Sequence, residues 1–100
     1  MQDKQKIRIL LVDDHEMVRE GLVVFLSTQP DFEVVGQAEN GQQAIQLVEQ
    51  VEPDIILMDL IMPLMDGIQA TGIIKKQFPN SEIIALNSYV DDEKVIGAIK

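Results

Sequence analysis

The sequence predicts an α/β fold with a doubly wound parallel sheet, and three observations support that prediction. Four short apolar runs alternate with four longer amphipathic runs along the 100 residues. The first short run is rich in β-branched residues and almost continuously apolar, and the short runs carry apolar residues on both faces, which is typical of strands in a parallel sheet covered on both sides. The longer runs carry apolar residues at helical spacing, and right-handed crossovers between parallel strands leave few other topologies.

The four predicted strands are short and each is followed by polar or turn-forming residues. They are IRILLV (7–12), FEVVGQA (32–38), DIILM (54–58) and EIIALN (82–87). Because strands that alternate with helices pair in parallel, their carboxyl ends lie at one edge of the sheet, where ligands bind in such folds.

Each predicted helix has an apolar stripe, a capping signal or both. The first, 15–29, has a stripe made of Val18, Leu22, Phe25 and Leu26. Asn40 is the predicted cap of the second helix, and Gln43 completes a capping box. The stripe of this helix consists of Ala44, Leu47, Val48 and Val51. Asp66 is predicted to cap a third helix that begins at Gly67 and stops near Pro79. A fourth helix is predicted from Tyr89 onward, with Val95, Ile96 and Ile99 on one side.

Composition predicts one globular domain over residues 1–100. The chain is 46% hydrophobic and 25% charged, and its net charge of −9 argues against a nucleic-acid surface within these residues. It has no cysteine, which excludes disulfides and thiolate metal sites. The start MQDKQK lacks the apolar core of a signal peptide, and no apolar run approaches about 20 residues. We therefore expect a cytoplasmic protein without membrane contact.

Three carboxylates follow two of the predicted strands. Asp13 and Asp14 end the first strand and Asp59 ends the third. In the flavodoxin-like order 2-1-3-4 these two strands are neighbours, so the three acids meet at the point where the winding reverses. Like charges in one crevice repel unless a cation offsets them, and carboxylate oxygens partly open to water suit Mg²⁺. Such a site favours phosphoryl chemistry with an aspartate nucleophile.

Simpler interpretations of the same residues exist. Asp13 or Asp14 alone is as well explained as a cap of the first helix, and Asp66 is best explained as a cap. His15 is expected to be an exposed first-turn residue and not a ligand, since metal-binding histidines normally come with partners. The coincidence of acids at two adjacent strand ends favours the functional interpretation of Asp59.

The segments ILLVDDHEMVREGL, DIILMDLIMPLMDG and IIALNSYVDDEKV together resemble a bacterial response-regulator receiver domain. The type joined to a C-terminal helix-turn-helix DNA-binding domain, the LuxR/NarL-like transcription regulators, is the most similar. The resemblance implies that a sensor histidine kinase or small phosphodonor phosphorylates Asp59. It also implies that Asp13, Asp14 and Asp59 bind Mg²⁺ together with the main-chain carbonyl of Ile61. Such a chain is a phosphorylated signalling protein and not an enzyme.

Two departures from the family pattern stand out. Asn87 occupies the end of the fourth strand, where the family has a Thr or Ser whose hydroxyl contacts the phosphoryl group and starts the switch. The fifth strand with its lysine, the fifth helix and the DNA-binding domain are missing from the chain. We expect the exposed fourth strand to pair with another chain, giving a homodimer or a domain-swapped oligomer.

Three other functions are possible for a chain with this pattern of strands and acids. A flavodoxin-like cofactor module needs a Ser/Thr/Gly-rich phosphate loop after strand one, where this chain has DDHEM. A haloacid-dehalogenase-like phosphatase needs a second Asp two residues after the nucleophile, where this chain has Ile61. A phosphorylation-incompetent, receiver-like dimerisation or binding module remains an alternative, because of Asn87 and the missing lysine.

Overall fold

The computed structural model describes residues 5–59 and 67–86 as alternating strands and helices. The predicted α/β alternation is confirmed over these residues. The elements are β1 (Ile7–Val12), α1 (Glu16–Ser27), β2 (Phe32–Ala38), α2 (Gly41–Val51), β3 (Ile55–Asp59), α3 (Gly67–Gln77) and β4 (Glu82–Leu86). The predicted fourth helix and the Asp66 cap lie outside the described residues.

All four strands are parallel and lie in the order β2-β1-β3-β4, as predicted. Strand β1 therefore lies between β2 and β3. In its pairing with β3, Val12 lies beside Met58. The residues that follow each of these two positions consequently emerge at the same edge of the sheet.

Alternate residues of each strand pack on opposite faces of the sheet. Leu10, Ile56 and Met58 contact helices α2 and α3 on one face, where Val48 and Ile74 are fully buried. On the other face, β1 and β3 pack against α1 in a cluster of Ile9, Leu11, Leu57, Leu22, Leu26 and Phe32. Each fully buried aliphatic side chain contributes about 1.5–3 kcal/mol, so both faces stabilise the sheet. Helices on the two faces make the fold doubly wound.

Helix α2 begins and ends with specific backbone contacts. The side chain of Asn40 accepts a hydrogen bond from the N–H of Gln43 at 2.9 Å, as predicted. The return bond differs from the predicted capping box, because Gln43 Oε1 accepts from the N–H of Glu39, one residue before the cap. Glu52 ends the helix in the left-handed conformation, at φ 47°, and Pro53 follows, which cannot extend the helix.

The predicted stripe of α1 is wrong at its first position. Leu22 and Leu26 are buried, but Val18 is 46% exposed. Val18 lies in the first turn of α1, and the buried positions of the stripe begin one turn later, at Leu22. Among the residues that the structure describes, no helix is long and apolar enough to cross a membrane.

Candidate functional site

Strands β1 and β3 deliver the predicted acids to one place at the carboxyl edge of the sheet. Asp59 is the last residue of β3, and Asp13 immediately follows β1. One ligand atom from each of Asp13, Asp14, His15 and Asp59 lies within 4.8 Å of all the others. We refer to these four residues as the acid cluster. The parallel register explains the proximity, because neighbouring strands end level with each other.

Burial makes the acid cluster electrostatically demanding. Asp59 is 2% exposed and Asp13 is 8% exposed, whereas the Asp14 side chain is 26% exposed. Burying a carboxylate is unfavourable unless hydrogen bonds or a cation compensate, and neighbouring carboxylates add repulsion. The cluster is therefore a place where a bound cation would stabilise the folded chain.

His15 lies against two of the carboxylates. Its main-chain N–H donates to Asp13 Oδ1 at 2.8 Å, and its ring Nδ1 lies 2.9 Å from the same oxygen. Nδ1 is also 3.1 Å from Asp14 Oδ1. Hydrogen bonding to Asp13, followed by the negative charge of Asp14, raises the pKa of His15 above its usual value of 6.5. His15 is exposed, as predicted, but it belongs to the cluster more closely than the sequence indicated.

The helix-cap interpretation of the acidic pair finds little support in the geometry of α1. The N-cap residue is His15, and no side chain caps the helix. Asp13 instead accepts from the N–H of the N-cap residue itself. The aspartates are therefore positioned by the turn that precedes α1, and their oxygens point into the acid cluster.

Arg19 is a site neighbour that the sequence analysis missed. Its Nη1 donates to the main-chain oxygen of Asp13 at 2.6 Å, and its Nε donates to Gln37 Oε1 at 3.3 Å. The two partners lie 6 residues before and 18 residues after Arg19 in the sequence, and residue spacing alone does not predict these contacts. The sequence did contain one indication of this role, because Arg19 is the first lysine or arginine after the acidic pair.

The donor set fits a hard divalent cation. Oδ1 of Asp14 is buried and forms no hydrogen bond within the described part of the chain, although His15 Nδ1 is close enough for an ion pair. Carboxylate oxygens are the ligands that Mg²⁺ prefers, whereas Nδ1 of His15 suits softer metals. Asn87 and Ile61, the other predicted site residues, lie outside the residues that the structure describes.

Comparison with known families gives a match over nearly the whole chain. Residues 9–100 match the family described as "Response regulator receiver domain". The transcriptional regulatory protein LiaR of Bacillus subtilis is 51% identical over 94 residues, which are 94% of this chain and 44% of LiaR. The response regulator protein VraR of Staphylococcus aureus is 48% identical over 93 residues, 93% of this chain and 44% of VraR. The chain thus spans less than half the length of these relatives.

Solved structures of similar fold are also receiver domains. The response regulator domain of Thermotoga maritima CheB superposes with a TM-score of 0.81 at 34% identity, over 95% of this chain and 72% of that one. A LuxR-family two-component response regulator from Aurantimonas gives a TM-score of 0.80 at 33% identity, over 95% and 68% of the two chains. These similarities agree with the observed fold and strand order.

Proposed function

The chain belongs to the response regulator receiver domain family, and from that premise we propose that it accepts a phosphoryl group on Asp59. The proposal covers residues 1–100 as one receiver domain, with Asp13 and Asp14 as metal ligands. The observation that supports it most is the meeting of the buried Asp59 carboxylate with the two other aspartates within 4.8 Å. The protein is then a signalling component, itself phosphorylated, and not an enzyme with a separate substrate.

Mg²⁺ is the cation that we propose for the acid cluster. Asp13, Asp14 and Asp59 would supply carboxylate oxygens, with the main-chain carbonyl of Ile61 as the fourth protein ligand. When bound, the ion offsets the negative charge of the acids and of the incoming phosphoryl oxygens. Without such an ion, the acid cluster would repel a phosphodonor by its own charge.

The phosphoryl transfer follows from the chemistry of a carboxylate nucleophile. One oxygen of ionised Asp59 attacks the phosphorus of a phosphohistidine or of an acyl phosphate. The new P–O bond forms as the P–N or P–O bond to the leaving group breaks, and the leaving group departs with that electron pair. The product is an aspartyl-phosphate, and Asp13 and Asp14 contribute by orientation and not by proton transfer.

The partners that we propose come from the family. A sensor histidine kinase is the proposed phosphodonor. LiaR is named as a transcriptional regulatory protein, and this chain covers only 44% of its length. We therefore propose that DNA is contacted, in a longer protein, by a C-terminal domain outside these 100 residues. Cytoplasmic location and the absence of membrane contact are part of the same proposal.

Asn87 is proposed to occupy the position of the switch hydroxyl. An amide can donate a hydrogen bond to a phosphoryl oxygen, but it is longer than the Thr or Ser side chain of the family. Phosphorylation of Asp59 would then persist while the conformational response is altered. If Asp59 does not react, the alternative function is favoured. In that case the chain is a receiver-like module that binds or dimerises without taking phosphate.

Association with a second copy is also proposed. Strand β4 pairs with β3, and no other strand of the described residues pairs with its outer edge. Free strand edges favour pairing with another chain, either directly or by exchange of an element. Light scattering across a concentration series is expected to show a homodimer or swapped oligomer, and a monomer at high concentration would contradict the idea.

The test of phosphorylation is intact mass after incubation with acetyl phosphate. We expect a phosphate adduct only when Mg²⁺ is present, and none in the Asp59→Asn variant. Asp54→Asn is the matched control, because it changes an aspartate at the opposite end of β3 and is expected to react like the original chain. Circular dichroism must show that both variants are folded.

Either result is informative. An adduct that needs both Mg²⁺ and Asp59 supports the phosphoacceptor function. A folded chain that forms no adduct, or one that forms it equally with Asn at position 59, would overturn the proposal and favour the binding-module alternative.

A further inference from the structure

Arg19 joins three elements at the carboxyl edge of the sheet. It belongs to the second turn of α1. Its Nη1 donates a hydrogen bond to the main-chain oxygen of Asp13, and its Nε donates one to the side chain of Gln37 on β2. The first of these bonds is short, at 2.6 Å, and partly buried. A charged donor bound to a carbonyl in such a place forms a stronger hydrogen bond than a neutral one.

The bonded carbonyl lies between the two predicted metal ligands. The oxygen of Asp13 belongs to the peptide plane that also contains the N–H of Asp14, and peptide units are rigid. Fixing that oxygen therefore fixes the direction in which the chain leaves Asp13 and enters Asp14. The N–H of Asp13 is fixed as well, because it donates to the main-chain oxygen of Ala38 at 3.0 Å.

We propose that Arg19 is a positioning residue for the acidic pair: it holds the Asp13–Asp14 peptide so that both carboxylates face the metal position. The inference rests on the proposed function, since it concerns the same metal site. Arg19 acts through the main chain of Asp13, and Gln37 orients the guanidinium from β2. Partners that orient metal ligands typically change metal affinity by about 10–100-fold when removed.

Positioning and simple electrostatics predict opposite effects at this residue. Arg19 is a cation beside a cation site, so removing its charge alone would strengthen metal binding. If the guanidinium instead holds the ligands in place, its removal would weaken metal binding in spite of the lost repulsion. The sign of the change therefore distinguishes the two roles.

The experiment measures Mn²⁺ binding by the electron paramagnetic resonance signal of the free aqueous ion, with Mg²⁺ competition to identify the site. We expect Arg19→Gln to raise the Kd for Mn²⁺ about 10-fold. Arg8→Gln is the matched control, because it removes the same charge near the opposite end of β1. That control is expected to change the Kd by less than about 2-fold.

Two further variants keep the test decisive if Arg19→Gln does not fold. Arg19→Lys retains the charge but cannot form the two-ended contact with Asp13 and Gln37, so we expect about 3-fold weaker binding. Gln37→Leu removes only the support from β2, and a loss of about 2–3-fold is expected. The metal-free unfolding midpoint of each variant is measured alongside, so that loss of affinity is separated from loss of fold.

Weaker binding by folded Arg19 variants, with Arg8→Gln unchanged, supports the inference. Unchanged or tighter binding by Arg19→Gln, or by both Arg19→Lys and Gln37→Leu if the first is unfolded, overturns it. An equal weakening by Arg8→Gln also overturns it, because the effect would then be general. If the original chain binds Mn²⁺ and forms the aspartyl-phosphate, these failures concern Arg19 alone; if it binds no metal, the proposed function itself fails.

Discussion

The two ends of the parallel sheet both carry aspartates, but the aspartates have different surroundings. At the amino end, Asp54 Oδ2 accepts from the N–H of Arg8 at 2.9 Å, and the main-chain N–H of Asp54 donates to the Arg8 oxygen at 2.9 Å. Its own main-chain oxygen accepts from Glu82 at 3.0 Å. At the carboxyl end, Asp13, Asp14 and Asp59 lie among one another and beside His15.

The comparison shows how an aspartate that joins strands differs from one that belongs to a site. Asp54 is exposed, and its hydrogen bonds tie the beginning of β3 to those of β1 and β4. Asp13 and Asp59 are buried next to other acids, and the mutual repulsion of neighbouring carboxylates opposes this arrangement. Strand-to-strand hydrogen bonding explains the first arrangement, whereas the second concentrates negative charge at one edge of the sheet, where a cation would lower the repulsion.

The largest expected effect is on metal affinity. Asp14→Asn keeps the shape of the side chain but removes one charge from the acid cluster, and we expect the Kd for Mn²⁺ to rise about 100-fold. Asp54→Asn removes the same charge at the other end of the sheet and is expected to leave the Kd within about 2-fold. Titration calorimetry with both variants measures the difference. Similar losses in the two variants would mean that net charge, and not the site, controls binding.

For the stability of the metal-free chain, we expect the change at Asp54 to matter more than the change at Asp14, which is the reverse of their order for metal affinity. Asp54→Ala removes the acceptor for the Arg8 N–H, and we expect the free energy of unfolding to fall by about 1 kcal/mol. Asp14→Asn relieves repulsion among the carboxylates, so no loss of stability is expected without metal. Urea unfolding in the presence of a chelator compares the two. If Asp14→Asn were the more destabilising change, the distinction between the ends would be wrong.

A polar residue near the carboxyl edge of the sheet can also have a purely structural role, and Asn40 is an example. Its side chain caps α2, so Asn40→Ala is expected to lower the free energy of unfolding by about 1 kcal/mol without changing the Mn²⁺ Kd. Asn40→Asp keeps the acceptor and is expected to retain most of the stability. Urea unfolding and metal titration of both variants check this. A large loss of metal affinity in Asn40→Ala would extend the site beyond the acid cluster.

The smallest expected effect is on pH dependence. The pKa of His15 is raised by Asp13 and then by Asp14, so its contribution to stability is present in full below about pH 6.5, its unfolded value. That contribution is lost as the pH rises through the higher folded pKa. The free energy of unfolding of the metal-free chain, measured at several pH values, should therefore fall as the pH rises above about 6.5. The His15→Gln variant should lack this fall. If the free energy of unfolding instead fell as the pH was lowered through this interval, and the variant did not show that fall, the sign of the linkage would be opposite to the one expected.

The strands and their parallel pairing were predictable from local patterns, because nearly continuous apolar runs such as IRILLV that alternate with amphipathic runs are typical of buried parallel strands. The meeting of the acids was predictable only together with the flavodoxin-like order 2-1-3-4, which makes the first and third strands neighbours. The Asn40 cap was predictable because its partner is only three residues away. Metal ligation and the role of Asn87 remain predictions.

The remaining features depend on tertiary geometry that sequence spacing does not contain. Val18 has the right helical spacing for burial, yet its side chain is 46% exposed. Arg19 contacts both the Asp13 carbonyl and the Gln37 side chain, which come together only in the folded arrangement of α1, β1 and β2. His15 contacts the carboxylates through the turn before α1, although its exposure was predicted. Such contacts can be predicted only when the relative positions of neighbouring elements are known.

The most direct test of the central claim is to locate the phosphoryl group at residue level. Borohydride reduces an aspartyl-phosphate to homoserine, so the chain is treated with acetyl phosphate and Mg²⁺, reduced, digested and sequenced by mass spectrometry. We expect homoserine at position 59, formed only when Mg²⁺ is present. Homoserine at position 13, 14 or 54, or its absence from a folded chain, would contradict the assignment of the buried acid cluster as a phosphoacceptor site.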